Sequence, residues 1–118
     1  MDPYRNLQTD DDAGKILAAV EKLRELDNEM PAQLLSTLFY VASHKDCHKQ
    51  ALEEDLNFST ASGSRNTDWL TAEHRIKNRR GLGLITKTVD PSNRRRLQLA
   101  LTPKGQVLVD QLKSILYD

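Results

Sequence analysis

One stretch near the C-terminal end constrains the fold more than any other. Leu97, Leu99 and Leu101 alternate with Arg96, Gln98 and Ala100. Successive side chains of a strand point to opposite faces, so this alternation marks a half-buried β-strand. Ahead of it, Leu84, Ile85, Thr86, Lys87, Thr88 and Val89 suit a second strand. Asp90, Pro91, Ser92 and Asn93 between them supply turn chemistry. Directly after the second strand, Thr102-Pro103 reads as a helix cap followed by proline in the first turn. Val107, Leu108, Leu112, Ile115 and Leu116 then form one apolar face. A two-stranded hairpin is marginal alone in water, so the rest of the chain has to supply the surface that holds it.

That remainder reads as helical. Residues 1–10 are polar and irregular, and a flexible N-terminus is expected there. Asp10, Asp11 or Asp12 can cap a helix over residues 11–28, in which Ile16, Leu17, Val20, Leu23 and Leu26 recur at helical spacing. Pro31 opens a second helix reaching about Ser43. Leu34, Leu35, Leu38, Phe39, Val41 and Ala42 make it the most apolar segment and the expected central core helix. A polar break, HKDCHKQ, precedes a short helix over residues 49–55 with Ala51, Leu52 and Leu56 turned inward. Asn57 tolerates the left-handed conformation of a tight turn. Ser59 or Thr60 then caps a helix over residues 59–70. Residues 71–83 read as a basic loop.

The order is therefore helix, helix, short helix, turn, helix, strand, strand, helix, within one domain over residues 11–118. A helix-turn-helix followed by a hairpin is the winged-helix arrangement, a mainly α fold with a small β-hairpin. In it the second helix of the pair enters the DNA major groove and the hairpin, or wing, over residues 84–101 reaches the adjacent backbone or minor groove.

Charge points to the same surface. The chain is neutral overall. Yet Arg65, Arg75, Lys77, Arg79, Arg80, Lys87, Arg94, Arg95 and Arg96 face only Asp68, Glu73 and Asp90 in that span, a surplus of six that the remainder must offset. A basic side on a neutral protein is the footprint of phosphate binding, although a solvated charge run gives the same counts. Ser59, Thr60, Ser62, Ser64, Arg65 and Asn66 are the candidates for base and phosphate contacts, since Ser, Arg and Asn hydrogen-bond to both. Helical spacing puts Ser62, Arg65 and Asn66 on one face, with Arg65 suited to guanine or phosphate and Asn66 to adenine. Gly63 costs about 1 kcal/mol relative to alanine in a helix interior, tolerable where something must come close. Arg75, Lys77, Arg79 and Arg80 suit phosphates, with Lys87, Asn93, Arg94 and Arg95 on the wing. One wing arginine suits a narrow minor groove, and Arg96 is expected to pair with Asp90 across the hairpin.

The segment GLGLITKTVDPSNRRRLQLALTPKGQ, residues 81–106, resembles the wing and following helix of MarR-type transcriptional regulators. Gly83-Leu84, Asp90-Pro91, Arg94-Arg95 and Leu101-Thr102-Pro103-Lys104-Gly105 fill the family's pattern. The likeness extends less sharply back to about Leu34. It implies a winged helix that binds pseudo-palindromic double-stranded DNA as a homodimer through its terminal helices, with any small-molecule effector left unspecified. Asn93 stands where many members carry an aspartate that fixes the wing, which predicts a looser turn. The loop over residues 71–80 is longer than usual, and the last helix is short.

Other chemistry is weaker. His44, Cys47 and His48 offer three soft-metal ligands without an evident fourth, and His near a helix C-terminus is also explained by the dipole. No metal and no cofactor are expected. The lone cysteine excludes an intrachain disulfide; some MarR-type relatives sense oxidants through cysteine, but no activating geometry is visible around Cys47. No catalytic residues are expected, since no nucleophile elbow, phosphate-cradling loop or carboxylate constellation appears. No apolar run approaches the ~20 residues of a membrane span, and the N-terminus lacks a signal-peptide pattern, so a cytoplasmic protein without a membrane partner is expected. The rival reading is a winged-helix protein-interaction module, docking on RNA polymerase or another host protein through the acidic first helix.

Overall fold

The computed structural model of this chain describes residues 7–72 and 80–118. Helix α1 (Asp11–Arg24) is capped by Asp10, whose carboxylate accepts from the Ala13 N–H at 3.0 Å. It stops short of the expected residue 28. The Asp27 side chain accepts from the Glu29 N–H at 3.0 Å, a local turn that competes with further helix. Helix α2 (Ala32–Ser43) begins after Pro31, which serves as its extended cap residue. Leu34 and Leu38 are fully buried, so α2 is the central helix that its composition predicts.

A two-residue strand, β1 (Cys47–His48), follows within the polar break. Two residues cannot display an alternation, so the sequence pattern carries no sign of it. Helix α3 (Lys49–Leu56) ends on Asn57, which adopts the left-handed region at φ 57°. Leu52 of α3 is fully buried, but Ala51 is exposed rather than inward. Helix α4 (Thr60–Leu70) is capped by Ser59, whose hydroxyl accepts from the Ser62 N–H at 3.0 Å. Strands β2 (Ile85–Asp90) and β3 (Asn93–Leu101) form the expected hairpin. All pairing is antiparallel, in the order β1-β3-β2, with Cys47 opposite Leu99 and Lys87 also opposite Leu99. Helix α5 (Pro103–Tyr117) starts as predicted, with the Thr102 hydroxyl accepting from the Gly105 N–H at 3.0 Å.

Leu34, Leu38, Leu52, Leu70, Leu84, Ile85 and Leu99 form a single core beneath the sheet and between the helices. Burying each such side chain stabilises the fold by about 1.5–3 kcal/mol. The junction of wing and α5 is tight. A Cβ at Gly105 would lie 2.1 Å from the Leu84 carbonyl oxygen, so no larger residue fits without moving backbone. The Thr102 N–H donates to that same carbonyl at 3.0 Å. Helix α1 packs chiefly on α5. Only Ala19 and Leu23 of α1 are buried; Ile16, Leu17 and Val20, which the spacing assigns to a core face, are exposed.

Candidate nucleic-acid interface

Helix α4 packs on α2, α3 and β2 through Gly63, Asn66, Thr67 and Leu70, which recur at helical spacing and are buried. The close approach anticipated at Gly63 is to α3, since a Cβ there would lie 2.0 Å from a Glu53 carboxylate oxygen. The opposite side is open: Ser59, Thr60, Ala61 and Arg65 are exposed, and Ser62 and Ser64 are half-buried. Arg65 donates to the Ser62 hydroxyl at 3.3 Å, so these two share a face as their spacing requires.

Asn66 does not join them. It is buried, and its amide donates to Gln33 Oε1 of α2 at 3.3 Å. The expectation that Asn66 reads adenine is corrected on this point. The four-residue step from Ser62 carries it round towards the core side, where its amide ties α4 to α2.

The strands show a similar division. Lys87 faces the same side as Leu99, and its ammonium pairs with Asp68 and donates to the Thr67 hydroxyl at 2.8 Å. Both charged side chains of the pair are largely shielded. Lys87 is thus a link between wing and α4 rather than an open phosphate ligand, which corrects its expected place. The pairing of β2 with β3 shifts register from Val89 opposite Leu97 to Asp90 opposite Asn93, so Arg94, Arg95 and Arg96 lie in an irregular stretch at the wing tip. All three are exposed, and among the described residues none forms an ion pair.

The expected Arg96–Asp90 pair is not formed. Asp90 instead accepts from the Ser92 N–H at 2.9 Å, the Ser92 hydroxyl at 2.8 Å and His48 Nε2 at 2.7 Å. These donors, the Ser92 backbone foremost, lower the carboxyl to about 2. Asn93 accepts from the Arg95 N–H at 3.0 Å, so the wing turn stays hydrogen-bonded where looseness was anticipated.

His48 also resolves the supposed metal cluster. His44 stacks on Tyr40 with centroids 3.9 Å apart, and its Nδ1 lies 2.9 Å from the Tyr40 carbonyl. Cys47 is buried, and burial, helped by the Asp55 charge, pushes its thiol up to about 11. Among the described residues no three His, Cys, Asp or Glu side chains converge on a metal position.

Arg80 is exposed at the foot of the wing. The remaining loop candidates, Arg75, Lys77 and Arg79, lie outside the described residues. The wing's start is stitched to the end of α4, with the Leu82 N–H donating to Trp69 O at 2.9 Å and the Leu84 N–H to Leu70 O at 2.8 Å. Helix α4, the wing foot and the arginine strand are therefore held as one unit.

No protein-family model and no curated protein sequence matches the chain. Solved structures do. The S. aureus MepR–DNA complex superposes with a TM-score of 0.68 at 22% identity, over 87% of this chain and 77% of that one. The fold is the winged helix of MarR-type regulators. CouR bound to a 23-mer DNA duplex matches with a TM-score of 0.62 at 21% identity, over 87% of this chain and 65% of that one. A mutant E. coli MarR complexed with operator DNA gives 0.64 at 18%, over 91% and 69%. The winged helix here spans about two thirds of the length of several of these regulators. Among its described residues no helix is long and apolar enough to cross a membrane.

Proposed function

We propose that this winged helix is a sequence-specific double-stranded DNA-binding transcriptional regulator, and not an enzyme. One observation carries the reading. The open face of α4, with Thr60, Ser62, Ser64 and Arg65, is held rigidly to a wing whose three arginines form no ion pair among the described residues. A polar helix face beside a cationic hairpin suits base reading in one groove and phosphate contact next to it. The DNA complexes of MepR, CouR and MarR support it. The protein acts in the cytoplasm, where DNA is accessible, as a homodimer. The exposed Ile16, Leu17 and Val20 of α1, beside α5, supply an apolar surface for a second copy.

The test is a gel shift on a randomised duplex pool across salt concentrations, followed by sequencing of the bound fraction. Binding that falls steeply with salt and enriches a two-fold-related sequence is expected. In the same assay Arg65→Ala reduces discrimination between the enriched and a scrambled duplex by about tenfold, the scale of one bidentate base contact. Absence of any shift at low salt would overturn the reading and favour a protein-docking role for the α1 face.

A further inference from the structure

We infer that His48 is a positioning residue for the wing, a clamp whose grip on Asp90 tightens when the imidazole takes up a proton, so that DNA binding strengthens as pH falls. The link to DNA rests on the reading above. In the strand order β1-β3-β2 the two edge strands pair only with β3. The contact of His48 Nε2 with Asp90 at 2.7 Å crosses that central strand and joins the edges directly. His48 is the last residue of β1 and the cap residue of α3. Asp90 is the last residue of β2, where the wing turns. The bond therefore ties the wing turn to the first helix of the helix-turn-helix, 42 positions away in the chain. The exposed Arg94, Arg95 and Arg96 follow that turn, so fixing it lowers the ordering cost of bringing them to DNA.

The chemistry of the pair makes it sensitive to protons. An ionised carboxylate can only accept, so Nε2 of neutral His48 must carry the hydrogen and donate it to Asp90. Nδ1 is then the atom that takes up a proton. The His48 side chain keeps 23% exposure, so solvent supplies that proton. Histidine changes charge between about pH 5 and 8. Asp90 stays ionised over that whole range, because the Ser92 N–H and hydroxyl, with His48, hold its carboxyl at about 2. Protonation thus turns a bond from a neutral donor into a shielded ion pair, the stronger of the two. With the wing open the imidazolium has lost its carboxylate. Proton uptake therefore favours the closed wing, and the added grip is lost as pH rises. The other charges near His48 come in opposed pairs. Glu54 of α3 and Arg96 of β3 line one cleft with it. Lys49 is held by Glu53, and Lys45 and Asp46 are exposed in the turn before β1. His44, at the end of α2, stacks on Tyr40, and the Cys47 thiol, pushed up to about 11, stays neutral.

The experiment titrates the full chain with the duplex enriched from the randomised pool, at fixed salt, from about pH 8 to about pH 5.5. Wild-type affinity is expected to rise by about fivefold towards acid, the step from a hydrogen bond to an ion pair. His48→Gln keeps an uncharged donor near the place of Nε2, so it matches wild type at the alkaline end and lacks the acid gain. Asp90→Asn keeps the histidine and its charge but removes the carboxylate, and it too lacks the gain. A gain that persists in Asp90→Asn would mean that the imidazolium acts on DNA by its charge alone and would overturn the clamp. So would a gain that persists in His48→Gln. The second readout needs no DNA. Amide exchange protection of Ser92 and Arg95 in the free protein, corrected for the intrinsic pH dependence of exchange, rises towards acid in wild type and stays level in His48→Gln. Level protection in wild type would overturn the clamp whatever the duplex shows. Failure of wild type to bind the duplex would overturn the DNA reading, and protection would still decide the clamp. Cooperative melting above the assay temperature shows that both variants are folded.

Discussion

Helices α1 and α2 have similar lengths, 14 and 12 residues, and both carry aliphatic side chains at helical spacing. Their surroundings differ. Helix α2 is enclosed by α3, α4 and β3, and Leu34 and Leu38 have no exposed surface. Helix α1 meets chiefly α5, and Leu17 stays 58% exposed with Ile16 and Val20 beside it. Periodicity tells which face of a helix is to be covered, but not whether the same chain does the covering. In α2 the apolar stripe is spent on the monomer's core. In α1 half of it stays exposed, as the homodimer proposed above requires.

The largest effect that separates the two helices comes from truncating one leucine in each. Leu38→Ala removes a fully buried side chain and is expected to cost about 2–5 kcal/mol, read from urea unfolding. Leu17→Ala is expected to change the monomer's stability by no more than about 0.5 kcal/mol, yet to shift sedimentation towards monomer. If Leu17→Ala lowers stability as much as Leu38→Ala at every protein concentration, α1 belongs to the monomer's core and the contrast fails.

The same distinction explains how far the sequence could be read. The elements whose partners lie close in the chain were legible. Ser59 and Thr102 announce their helices, Asn57 its turn, and the Leu97-Leu99-Leu101 alternation its strand. What escaped depends on distant neighbours. Asn66 looks like a base reader until Gln33, 33 positions away, is seen to take its amide. Asp90 attracts Arg96 on paper because the hairpin brings them near, but β1 delivers His48 from 42 positions away and it takes the carboxylate. Lys87 counts as a free cation until α4 places Asp68 against it. In each case residue type was read correctly and its partner was set by tertiary packing.

Lys87 also shows which half of the molecule the wing belongs to. Its pair with Asp68 and its bond to Thr67 attach β2 to α4, on the side of the enclosed helix α2. Lys87→Met keeps the aliphatic stem and removes the ammonium from a shielded carboxylate. The expected cost is about 1–3 kcal/mol, with no dependence on protein concentration. Because the wing then keeps only its backbone ties to α4 at Leu82 and Leu84, selectivity between the enriched and scrambled duplexes should also narrow. A loss that disappears as protein concentration rises would instead place the wing in the contact between copies.

The smallest effect comes from pH. Asp90 is held at about 2 by the Ser92 N–H, the Ser92 hydroxyl and His48, below the ordinary carboxyl value of 3.8. A carboxyl lowered in the folded state stabilises it at all pH values above the unfolded value, and that contribution is lost as pH falls from about 3.8 towards about 2. Asp90→Asn lacks the charge at any pH. Its melting temperature should therefore lie below that of wild type above the unfolded value of 3.8, and the gap should close as pH falls to about 2. The two sides of the molecule make a further demand on this measurement. Asp90 closes the wing turn against β1, away from the exposed residues of α1, so the gap should be the same at low and high protein concentration. A gap that widens with concentration would put the wing turn into the self-association surface, and the division between an enclosed half and an open one would have to be redrawn.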